Sequence, residues 1–66
     1  MIRMNLERTL QLQGDMTDTA FARKLGVSRS QLWRIRTKRS SVGADFIEKF
    51  MAAYPSENID DYFFSE

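Results

Sequence analysis

The sequence predicts an all-α fold: a compact bundle of four to five short helices in one domain covering residues 1–66. Three observations carry this. Apolar residues recur at helical spacing in several separate segments. Capping residues stand where those segments begin. Gly26 divides two of the segments in a way that asks for a sharp turn. A chain of 66 residues makes at most one domain, with a core small enough to need good packing or a partner.

The first helix is expected over about Asn5 to Gln13. Asn5 is a cap candidate, and Gly14-Asp15 reads as stop and turn. Leu6 and Leu10 lie one turn apart, with Ile2 a turn earlier, so that stripe is expected to face the core and Leu12 to be partly exposed. The second helix starts after Thr17, whose hydroxyl suits the free amides of a first turn. Met16 and Phe21 are placed as a hydrophobic staple. Gly26 ends this helix, because glycine takes the left-handed C′ conformation without steric cost. Ser28 opens the third helix, with Gln31 three residues on as in a capping box and Val27 and Leu32 as a second staple. Two capped helices hinged at one glycine make a helix-turn-helix candidate.

A fourth helix is expected over about Ala44 to Tyr54. Phe46, Phe50 and Tyr54 follow at every fourth position, with Ile47 and Met51 alongside, Asp45 near the positive end of the dipole and Pro55 as the stop. In so small a domain these rings are expected to be core. The tail has Ile59, Tyr62 and Phe63 at helical spacing after Asn58, and reads as one or two helical turns. Phe64 falls off that stripe, so the segment carrying Ile59, Tyr62, Phe63 and Phe64 is expected to supply a homodimer interface.

The third helix carries the chemistry. At 100° per residue, Ser28, Leu32 and Ile35 fall on one side, with Arg39 near them at the end. Arg29, Ser30, Trp33, Arg34 and Thr37 fall on the other. Two arginines, two hydroxyls and an indole facing outward suit the floor and walls of a DNA major groove. The net charge of +1 is unremarkable, but its distribution is not. Arg23, Lys24, Arg29, Arg34, Arg36, Lys38 and Arg39 sit within seventeen residues, and no acid occurs between Asp18 and Asp45. The tail after Pro55 is acidic, with Glu57, Asp60, Asp61 and Glu66. Such segregation gives one face that attracts phosphate.

The set Phe21-Ala22-x-x-Leu25-Gly26-Val27-Ser28-x-Ser30-x-Leu32-x-x-Ile35 resembles the helix-turn-helix of the Cro/phage-repressor family, which includes xenobiotic-response-element-type regulators. The resemblance is close over the two-helix core and loose elsewhere. It implies a lambda-repressor-like fold with a recognition helix over about residues 29–37. It also implies close helix approach at Ala22 and base contacts from Arg29, Ser30, Trp33 and Arg34. The loop after that helix touches the DNA backbone in the family, which adds Lys38, Arg39 and Ser40 to the expected phosphate contacts. With them go Thr17, Arg23, Lys24, Ser28, Arg36 and Thr37. The chain departs from the family pattern at Asp18, where a polar residue, often Gln, is usual. It departs again at Arg36, where an acid is common, and in Thr37-Lys38-Arg39, which lacks a glycine often found there. Trp33 either packs on a thymine methyl or sugar-phosphate wall, or it folds back over the loop or shields the Arg34 stem.

The absence of cysteine and histidine excludes disulfides and thiolate or imidazole metal sites. It also removes the commonest general base. No metal, cofactor, small-molecule ligand or enzymatic activity is expected. With no long apolar run at the start, neither a signal peptide nor a membrane span is expected, and the default is a cytoplasmic protein. The expected function is that of a sequence-specific regulator binding double-stranded DNA as a homodimer. The alternative is a protein-interaction module, antitoxin-like or a phage accessory protein, that uses the same helices and the aromatic tail to hold a protein partner.

Overall fold

The computed structural model describes residues 1–66. Its order is β1 (Ile2–Met4), α1 (Leu6–Gln13), α2 (Asp18–Leu25), α3 (Arg29–Arg36), α4 (Ala44–Ala53), a single 3-10 turn (Ile59–Asp61) and β2 (Phe63–Ser65). The fold is mostly helical, and the all-α expectation is corrected by a small antiparallel sheet that joins the two ends. Its register pairs Ile2 with Ser65, Arg3 with Phe64 and Met4 with Phe63. The ladder continues at both ends: Glu66 N–H donates to the Met1 carbonyl at 2.8 Å and Asn5 N–H to the Tyr62 carbonyl at 2.7 Å. No helix is long and apolar enough to cross a membrane.

The helix starts are set locally. Asn5, Thr17 and Ser28 accept at their side-chain oxygens from the backbone N–H of Arg8, Ala20 and Gln31, at 3.1, 3.1 and 3.0 Å. Each bond satisfies a first-turn donor that the helix itself leaves free. Gly26 closes α2 in the left-handed region at φ 76°. Its N–H reaches the Arg23 carbonyl at 3.1 Å and the Val27 N–H reaches that of Ala22 at 3.0 Å. These two bonds form a Schellman motif and turn the chain straight into α3.

The tail turns once as a 3-10 helix, capped by the Asn58 side chain, and then extends. Extension rather than helix separates neighbouring rings, since successive strand residues face opposite ways. Phe63 is buried at 8 % exposure while Phe64 stays 44 % exposed. Tyr62 and Phe63, expected at an interface between copies, lie inside this chain's own core, packed on Phe50 at centroid distances of 5.1 Å each. Ile59 is half-buried against that core. The Tyr62 hydroxyl donates to the Glu57 carboxylate, a bond that, with burial, raises the Tyr62 pKa above its ordinary 10.0.

Two expected apolar stripes are corrected. On α1, Leu6 and Leu10 are exposed at 43 % and 48 %, whereas Thr9 and Gln13 are buried; Leu12 is partly exposed, as expected, and rests against the core. The inward polar groups are satisfied, so burying them carries little penalty. The Thr9 hydroxyl sits 3.0 Å from the carbonyls of both Asn5 and Leu6. The Gln13 amide donates to the Met16 carbonyl at 2.7 Å and to Asp18 at 3.0 Å. On α4, Phe46 and Phe50 are buried as expected and Met51 faces out at 44 %. Phe50 is packed instead by rings of the C-terminal segment, those of Tyr62 and Phe63.

Candidate nucleic-acid interface

Within α3 the apolar residues divide as the periodicity requires, while Ser28 and Arg39, expected on the packing side, are exposed. Leu32 and Ile35 are buried at 1 % and 4 %, and Arg29, Ser30, Trp33, Arg34 and Thr37 are all exposed. Asp18 on α2, together with Arg29, Ser30, Trp33, Arg34 and Arg36, borders an open groove of about 630 Å³. Arg34 also borders a second, smaller groove shared with Ser40, Ser41 and the start of α4. All four expected base-contact residues therefore share one concave surface.

The charge on this surface is largely uncompensated. Among Arg23, Lys24, Arg29, Arg34, Arg36, Lys38 and Arg39, Arg36 alone is in an ion pair. Arg36 was expected on the phosphate side; its side chain turns inward to 11 % exposure. Nη1 lies 2.9 Å from the Asp18 carboxylate, and Nη2 donates to the Gln13 side-chain carbonyl. The guanidinium carbon sits 5.5 Å from the centre of the Phe21 ring. Asp18 and Arg36, at two of the three positions where the chain departs from the motif it resembles, thus answer one another. Asp18 takes the place of a polar residue, and Arg36 cancels its charge at the rim of the groove.

Hydrogen bonds from Gln13 and from Arg36 hold the Asp18 carboxyl below its ordinary pKa of 3.8. A carboxyl whose pKa is depressed on folding stabilises the fold above its unfolded pKa and loses that contribution as pH falls through the folded value. The unfolding free energies of the wild type and of Asp18→Asn are therefore expected to differ by a constant amount from neutral pH down to about 4, and to converge in more acid solution. A gap that stays the same at pH 2 would remove the ionised Asp18–Arg36 pair from the account.

The loop after α3 is built as tightly as the helix. Lys38 N–H donates to the Ile35 carbonyl at 3.2 Å and Arg39 N–H to that of Arg34 at 2.8 Å. This is a second Schellman motif, with Lys38 at the left-handed position, φ 62°, where glycine is usual. From the other side the loop is gripped by Arg3, a residue with no local signal. Arg3 Nη1 donates to the carbonyls of Lys38 and Ser40 at 3.2 and 3.3 Å, while Nε pairs with Glu66 at 2.9 Å. The Val42 N–H bonds to the Ile2 carbonyl at 3.0 Å. The sheet therefore serves the site, because it holds β1 where Arg3 and Ile2 can fasten the loop.

The other expected phosphate contacts divide. Lys38 is exposed and free of partners, and Arg23 is exposed on α2. Lys24 is exposed with Nζ 4.6 Å over the Tyr54 ring. Thr17 and Ser28 use their oxygens as acceptors in the caps, which leaves each hydroxyl hydrogen to donate. Thr37 has no such reserve: its hydroxyl donates to the Trp33 carbonyl at 2.9 Å, and a phosphate can only accept. Ser40 is half-buried. Arg39 lies over the Trp33 ring, 4.9 Å from its centre, so the indole meets the loop through Arg39. Compared with family models, with curated proteins and with solved structures, the chain matches none.

Proposed function

We propose that the protein is a sequence-specific, double-stranded DNA-binding transcriptional regulator of Cro/repressor type, acting in the cytoplasm as a homodimer. In this reading α2 and α3 form a helix-turn-helix, and α3 lies in the major groove. A helix with its side chains is about 10–12 Å across and the groove about 12 Å wide. The observation that carries the reading is the exposed face of α3, where Arg29, Ser30, Trp33 and Arg34 line one groove with no acid paired to either arginine. Arginine holds guanine O6 and N7 with two donors, and serine can address either kind of base edge. Lys38, Arg23 and Lys24 supply sequence-independent affinity through phosphates. Two copies would read half-sites about 34 Å apart, with Phe64 and the outer edge of β2 as the surface left for pairing.

The test is binding to a random-sequence duplex across a salt series, with Lys38→Gly as the variant. Glycine removes a charge and also relieves a left-handed side chain, a conformation that costs about 1 kcal/mol or more for an L-residue. Lys38→Gly is expected to melt at a higher temperature than the wild type, yet bind all sequences more weakly, with a salt slope flatter by about one unit. No salt-dependent binding by the wild type would remove the DNA reading.

A second reading has its own observation. Leu6 and Leu10 stand exposed on α1, an apolar pair off the groove-lining surface, which fits a module that holds a protein partner. A chain silent toward DNA that co-purifies with a stoichiometric protein would favour it.

A further inference from the structure

We infer that Arg39 is a base-reading residue rather than a phosphate contact, with Trp33 as the platform that aims it; this rests on the DNA-binding reading above. The expected role of Arg39 was charge alone, as for Lys38 beside it. Geometry separates the two. Lys38 projects from a left-handed backbone with no partner, whereas the Arg39 guanidinium lies over the indole at 4.9 Å. Trp33 belongs to the base-facing side of α3 and lines the same groove as Arg29 and Arg34. Arg39 does not itself line that groove, but the contact holds its guanidinium against a side chain that does.

The placement is also preset. In a Schellman motif the residue after the left-handed position packs against the helix one turn back. Here Arg39 and Trp33 occupy those two places, and a cation–π contact fills the role of the usual apolar one. The Arg39 N–H is fixed on the Arg34 carbonyl, and Arg3 holds the carbonyls on either side, those of Lys38 and Ser40. The contact is made to the face of the indole and leaves the five N–H groups of the guanidinium available to donate. None of them has a protein acceptor, since no hydrogen bond or ion pair from the Arg39 side chain is formed. A guanidinium fork with its donors free suits the O6/N7 edge of guanine as well as it suits a phosphate, and its place against a base-facing indole is what favours the base. The ligand group assigned to Arg39 is a guanine, and the exposed indole edge faces the neighbouring base, where a thymine methyl would complete the contact.

Trp33 is the one tryptophan in the chain, so its fluorescence reports the pair directly. Arg39→Ala is expected to change the emission of the free protein, and an unchanged spectrum would mean the stack does not form in solution. The decisive experiment is selection from a random-sequence duplex pool by the wild type, Arg39→Lys and Trp33→Leu, followed by affinity measurements on the wild-type consensus and on unselected duplex. Arg39→Lys keeps the charge and loses the flat fork. It is expected to erase one guanine from the selected consensus and weaken consensus binding about 10-fold or more, against less than threefold on unselected duplex. Trp33→Leu is expected to erase the same guanine, with little further loss in the double variant. A consensus that keeps every guanine in Arg39→Lys, or an equal loss on both duplexes, would return Arg39 to the phosphate contacts and leave the DNA reading standing. A wild type that enriches no sequence would overturn both.

Discussion

Phe50→Ala is expected to lower the free energy of unfolding by about 3–5 kcal/mol. Phe50 is 1 % exposed, and its ring meets those of Tyr54, Tyr62 and Phe63 at centroid distances of 5.6, 5.1 and 5.1 Å. The Phe63 contact is edge-on, at 84°, an arrangement that adds to the burial term. Truncation would leave a void bounded by three large rings that cannot all move into it, and a void that does not collapse puts the cost at the upper end of the range. At about 0.05–0.15 kcal/mol per residue, a domain of this length has only some 3–10 kcal/mol in total. The variant should therefore be substantially unfolded at 25 °C. Denaturant titration followed by far-UV circular dichroism measures this, with Met51→Ala on the exposed side of the same helix expected to stay within about 0.5 kcal/mol of the wild type. A loss at Phe50 no larger than that at Met51 would show that the C-terminal rings do not hold α4 in solution. The effect should reach the loop after α3 as well, since Phe63 belongs to the strand that keeps β1 and Arg3 in place.

Arg34→Ala is expected to cost about 1–3 kcal/mol of binding at the protein's own selected DNA sequence and to blunt discrimination at one position of it. Arg34 is exposed, unpaired and borders both grooves. Its part in the fold is played by its backbone: its carbonyl accepts from Arg39 and Ser40 at 2.8 and 3.2 Å, and alanine keeps that. Stability should stay within about 0.5 kcal/mol, so a change in binding can be assigned to the lost guanidinium. Equal losses on selected and random duplex would mean that Arg34 meets phosphate and that other residues carry any sequence preference.

Much of this surface was legible before any coordinates, because its signals span only three or four residues. Asn5, Thr17 and Ser28 each cap the helix they precede, and Gly26 adopts the left-handed turn its position demands. The 100° periodicity of α3 separated Leu32 and Ile35 from Arg29, Ser30, Trp33 and Arg34 correctly, since a helix's faces follow from spacing alone. Even the tail's aromatic weight was visible, though not its use.

What stayed hidden was non-local. The strands are three residues each, too short for an alternation to register, and they pair residues as far apart as Ile2 and Ser65. That pairing sets how the chain enters α1, and α1 buries Thr9 and Gln13 while Leu6 and Leu10 face solvent. A leucine stripe reports which face is apolar, and packing decides which face is covered. In the same way Arg36 read as one more cation until Asp18 and Gln13 met it from α2 and the end of α1. By itself the sequence determined where helices begin, where the chain turns and which side chains of α3 share a face, all consequences of backbone bonds within a turn. Tertiary structure alone decided which cations remain free and what holds the loop beside them, because those outcomes depend on partners that only the closed chain brings within reach.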